Sequence, residues 1–127
     1  MISEERCMGM TEEQIKELTY IDEVMGLQFC AESRDVYMEM LEIYLEQGEE
    51  YLEKLPLLVK NKDWKNYIIT VHGLKGTSMT IGAKAFSEKA KEQEFAGKEE
   101  RYEFIEQGLE DFLDLYRHML EAVRGIM

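Results

Sequence analysis

Between Val36 and Arg124 apolar residues recur at helical spacing, and the recurrence breaks only near Asn61-Lys62-Asp63, Ile81-Gly82-Ala83 and Gly97. That period belongs to an amphipathic helix with one face in a core, and it rules out a sheet, whose strands need alternation every second residue. The stripes run through Val36, Met40, Ile43, Leu45 and Leu52, through Tyr67, Val71, Leu74, Ser78 and Ile81, and through Ala83, Phe86, Ala90 and Gln93. A last stripe passes from Tyr102 through Ile105, Leu109, Phe112 and Tyr116 to Leu120. Four long amphipathic segments with short links predict an all-α fold, an antiparallel four-helix bundle.

Local signals set the expected ends. Thr11-Glu12-Glu13-Gln14 has the form of a capping box and opens a short additional N-terminal helix through about Thr19, burying Ile15 and Leu18. Tyr20 to Leu27 reads as a connection with one helical turn. Ser33 or Asp35 then caps a long helix ending near Leu55, where Pro56 kinks it or starts another turn. Asp63 caps a helix from Trp64 to about Met79, Gly97 stops the next, and the last runs from about Lys98 to Arg124. At 127 residues the chain is expected to hold one bundle domain, 11–127, behind a tail at 1–10.

Charge narrows the partners. A net charge of −12 opposes nucleic acid and anionic membrane surfaces, both of which need clustered cations. The sequence lacks a membrane-spanning stretch and the order of a signal peptide, so a cytoplasmic protein is expected. Cys7 and Cys30 form neither a disulfide framework nor a metal-spaced pair.

Stability does not explain the segment Val71-His72-Gly73-Leu74-Lys75-Gly76. Two glycines inside a helix sacrifice about 2 kcal/mol of propensity. Gly73 as a helix-ending residue is the simpler alternative, but the apolar stripe continues in register through Leu74, Ser78 and Ile81. On a helical wheel His72 lies roughly 140° from Tyr67, off the core stripe, with Ile68, Ile69, Lys75, Gly76 and Met79 around it. An imidazole flanked by apolar side chains and a bare stretch of backbone makes a docking surface with a reactive group at its centre.

In an antiparallel hairpin turning at Ala83, His72 and Glu94 lie level. A carboxylate there can hold one ring nitrogen and leave the other as a nucleophile suited to phosphoryl transfer. Lys75, one turn on, is placed to offset phosphoryl charge. The sequence holds neither a P-loop nor a spaced acidic magnesium site, so no cofactor and no independent kinase activity are expected. Two other readings remain: an interaction module without phosphochemistry, binding a partner helix through Ile68, Ile69 and Met79, and a metal-binding bundle built on His72, His118 and carboxylates.

His72-Gly73-Leu74-Lys75-Gly76, followed after five residues by Gly82-Ala83, resembles the signature of histidine-containing phosphotransfer (HPt) domains. Ile21-Asp22, Gly26-Leu27, Tyr37, Met40-Leu41, Asp63-Trp64, Phe86 and Glu94-Phe95-Ala96 extend the likeness. Val71, where the family usually has alanine, and Gly73 depart from it. The resemblance implies that His72 accepts phosphoryl, that Lys75 assists the phosphate, that Gly76 leaves room for a partner and that Glu94 orients the ring. It implies a carrier in a two-component phosphorelay, exchanging phosphoryl with the aspartate of a receiver domain, the partner being a response regulator, a hybrid histidine kinase or both; the chain itself is expected to be a monomer. The Mg2+ is then expected on the receiver.

Overall fold

The computed structural model describes residues 10–127. The tail expected at 1–10 therefore lies outside the described residues except for Met10, and so does Cys7. Six helices follow among the described residues: α1 (Glu12–Leu18), α2 (Glu23–Phe29), α3 (Arg34–Lys60), α4 (Trp64–Thr80), α5 (Lys84–Lys98) and α6 (Tyr102–Ile126). The long helices α3 to α6 close a ring in which each packs on its chain neighbours and α3 meets α6. Short α1 lies against α5 and α6, and α2 against α3 and α4. None of these helices is long and apolar enough to cross a membrane.

The N-terminal caps follow the side chains available. Thr11 and Gln14 form the reciprocal capping box of α1, and Asp22, Ser33 and Asp63 accept backbone N–H bonds at the starts of α2, α3 and α4. The single helical turn expected within Tyr20 to Leu27 is present but longer: α2, capped by Asp22 at Met25 N, runs on to Phe29. At Pro56 no break occurs, and α3 continues to Lys60. One missing N–H is tolerated where tertiary packing holds the turns on either side, and Leu55 and Val59 are both buried.

The buried stripe of α3 also differs from the aliphatic one. Val36 and Ile43 are exposed, and Tyr37, Leu41, Tyr44, Leu55 and Val59 point inward. The tyrosines can enter because each hydroxyl finds a partner: Tyr37 donates to the Ile81 carbonyl at 2.8 Å, and Tyr44 pairs with Ser78 Oγ at 2.8 Å. Phe86, Phe112 and Tyr116 meet ring to ring at the centre, with Phe86 and Phe112 stacked at 5.7 Å. At one end Trp64 stacks on Tyr102 at 4.4 Å.

Gly97 does not end its helix. It is buried one residue before the end of α5, where a Cβ would lie 2.6 Å from Ile68 Cγ1. The glycine lets α4 and α5 approach, and the chain reverses three residues later, at Glu100, with φ 60°. Backbone bonds from Glu100 N to Gly97 O and from Arg101 N to Ala96 O close that turn, so α6 starts at Tyr102, later than expected.

Candidate functional site

The α4 helix runs unbroken through Gly73 and Gly76, which excludes a helix end at Gly73. A Cβ on either glycine would meet nothing within 4 Å, so both positions open onto free space beside His72. The outer face of α4 carries apolar side chains among its polar ones. Ile69 is 57% exposed, whereas Ile68 and Met79 are half-buried and Ile68 packs over Gly97. Of the four residues expected at the docking surface, Ile69 and Gly76 are the most open.

Two side-chain bonds lock α4 to α5 on either side of the histidine. Tyr67 donates to Gln93 Oε1, and Ser87 Oγ donates to the Lys75 carbonyl at 2.8 Å. With the register held there, His72 and Glu94 come level. The imidazole Nδ1 lies 2.8 Å from Glu94 Oε2. Its side chain is 63% exposed while that of Glu94 is 1% exposed, so the ring stands in solvent over a buried carboxylate.

Two lysines reach the same carboxylate. Lys75 Nζ is 2.8 Å from Oε1, and Lys98 Nζ is 2.9 Å from the Oε2 that His72 also contacts. Lys75, whose side chain is 28% exposed, meets Oε1 as a close ion pair at the edge of solvent. Burial alone would push the Glu94 carboxyl up, but Lys75, Lys98 and His72 outweigh it and hold the group down at about 2. An ionised acceptor at Nδ1 requires the proton on Nδ1, and in the neutral ring the lone pair then sits on Nε2.

Lys98 was not anticipated, because a helix stopping at Gly97 excludes it. The i,i+4 spacing from Glu94 was its signal. His118 sits apart on α6, 3.6 Å from Glu121 Oε1, and among the described residues no group of three or more His, Cys, Asp or Glu side chains gathers around a possible metal.

A prediction follows from the carboxylate. Its folded value of about 2 lies below the ordinary 4.5, so Glu94 contributes stability that is complete above about pH 5 and is lost as pH falls toward 2. Linkage bounds the contribution at about 3 kcal/mol, and solvent screening of exposed His72 and Lys98 reduces it. Denaturant unfolding of wild type and Glu94→Gln should show the wild type more stable near neutrality, with the gap closing between about pH 5 and 2. A constant gap would mean that the charge of Glu94 contributes nothing.

The site is thus a buried carboxylate on α5 beneath an exposed imidazole on α4, a helix left bare there by Gly73 and Gly76. The family model described as the Hpt domain matches residues 39–126, more than half of the chain. The chain belongs to the Hpt domain family. Membership makes it a phosphotransfer module of phosphorelay signalling. The fold agrees with the crystal structure of the HPT domain from the Hpt sensor hybrid histidine kinase of Shewanella, with a TM-score of 0.76 at 24% identity, over 86% of this chain and 94% of that one. No curated protein matches. Within this Hpt domain the matched segment includes α4, α5 and all of the side chains around Glu94.

Proposed function

We propose that the protein carries a phosphoryl group on Nε2 of His72 and exchanges it with the aspartate of a response-regulator receiver domain, free or part of a hybrid histidine kinase. The observation that carries this reading is the His72–Glu94 pair, with one ring nitrogen held at 2.8 Å by a buried carboxylate and the ring itself exposed. The Nε2 lone pair attacks the phosphorus of the aspartyl phosphate in line. An N–P bond forms as the P–O bond breaks, and the departing carboxylate keeps the electron pair. The Nδ1 proton stays on the ring, where Glu94 balances the charge of the phosphoimidazolium. Lys75 turns from Oε1 to the phosphoryl oxygens. Phosphoryl donor and Mg2+ come with the partner, and the domain acts as a carrier, without nucleotide-dependent kinase activity of its own.

The test is transfer from a receiver domain labelled on its aspartate, with the product expected to be acid-labile and base-stable. Label that survives acid would rule out phosphohistidine. Gly76→Gln should fold normally, since its Cβ meets open space, yet a long side chain there would hold the partner off the ring. Displacement of that kind is expected to slow transfer on the order of 100-fold. An unchanged transfer rate in Gly76→Gln would count against close approach at that position. A purely adhesive role for Ile68, Ile69 and Met79 leaves the buried Glu94 without a purpose.

A further inference from the structure

The hairpin that carries His72 has the opposite charge to the rest of the molecule. Residues 64–98 hold six lysines against three glutamates and no aspartate or arginine, a surplus of three positive charges on a chain of net −12. One of the three glutamates is Glu94, already buried under its cations. Helical geometry gathers Lys65, Lys91 and Lys98 with Lys75 on the side of the imidazole, while Lys89 pairs with Glu92 elsewhere on α5. On α4, Lys65 lies about 20° from His72 around the axis, and on α5, Lys98 and Lys91 lie about 40° and 60° from Glu94 toward the outside. Phe95 stands between these two on the surface, 42% exposed, with Lys91 Nζ 5.5 Å and Lys98 Nζ 5.9 Å from its ring centre. Since Lys98 also touches the carboxylate oxygen that His72 contacts, the aromatic ring is joined to the imidazole by a short chain of contacts.

An exposed phenylalanine clamped by two ammonium groups is an ordered apolar knob in a cationic rim. The rest of the molecule repels an anionic partner, so such a partner is attracted and oriented by this one face. We propose that the α4–α5 hairpin is an electrostatically steered docking face with Phe95 as its anchor, and that it selects a phosphoryl-exchange partner whose contact face is acidic around an apolar socket. The proposal rests on the phosphorelay reading, and it adds the charge of the partner surface and a residue outside the phosphoryl chemistry.

The experiment uses the receiver domain that transfers phosphoryl to the wild-type protein. Its association with His72→Gln protein, which binds without chemistry, is followed by stopped flow from about 0.01 M to about 1 M salt, where the screening length falls from about 30 Å to about 3 Å. Association should slow about ten-fold or more over that range. Lys91→Glu should slow association about five-fold at low salt, while the same charge change at Lys54 on α3 should leave it nearly unaltered. Phe95→Ala should raise dissociation about ten-fold with little effect on association. Salt-independent association, or equal effects at Lys91 and Lys54, would overturn the steering, and unchanged dissociation in Phe95→Ala would overturn the anchor. If no receiver labels the wild type, the phosphorelay reading fails first and this partner with it, a result distinct from transfer that ignores Lys91 and Phe95.

Discussion

Incubated with a receiver domain bearing phosphoaspartate, the wild-type protein should take up the phosphoryl group and His72→Gln should take up none. The glutamine amide has nearly the reach of the ring and can still hydrogen-bond to Glu94, so the buried carboxylate keeps a partner and the fold persists. It has no nucleophilic lone pair to replace Nε2, because the amide nitrogen is delocalised into its carbonyl. Loss should therefore be complete to the detection limit, with helicity and thermal unfolding unchanged. His118, on α6 beside Glu121, is the internal control: His118→Gln should label like the wild type. Label persisting in His72→Gln would move the acceptor elsewhere and undo the proposed function.

The second large effect concerns the fold. Gly82→Ala should destabilise the protein by about 3 kcal/mol or more, measured by urea unfolding. Gly82 takes φ 93°, a left-handed conformation that alanine adopts at a cost, and an added Cβ would stand 2.1 Å from the Asp22 carbonyl oxygen. Backbone cannot step aside as a side chain can. The Gly82 carbonyl accepts from Asp22 N at 2.9 Å, so the α4–α5 turn and the entrance to α2 are bonded face to face. Pushing them apart would also disturb Tyr37, whose hydroxyl holds the adjoining Ile81 carbonyl. A change below about 1 kcal/mol would show that the two loops part freely.

Much of the bundle was legible because the 3.6-residue period of its apolar residues is a property of sequence alone. The level pairing of His72 with Glu94 was legible for the same reason: a hairpin turning at Ala83 determines which residues face each other, whatever their chemistry. Gly97 misled because a glycine that ends a helix and a glycine that admits a neighbouring helix look alike in sequence. Only the position of Ile68 across the interface distinguishes them. That one misplaced end hid Lys98. The inward tyrosines of α3 were hidden in another way, since their burial depends on hydrogen-bond partners at Ser78 and Ile81, both more than thirty residues away.

The amino-acid order alone determined the helices, their antiparallel path and an imidazole facing away from the core, because these follow from periodicity and chain connectivity. Tertiary structure decided the state of Glu94. A glutamate on a helix flank is solvated unless its surroundings close over it, and here packing of α4 on α5 buries it while bringing Lys75, Lys98 and His72 from separate turns to the same carboxylate. Burial and charge of that kind depend on distances between segments remote in the chain, to which local sequence patterns are blind.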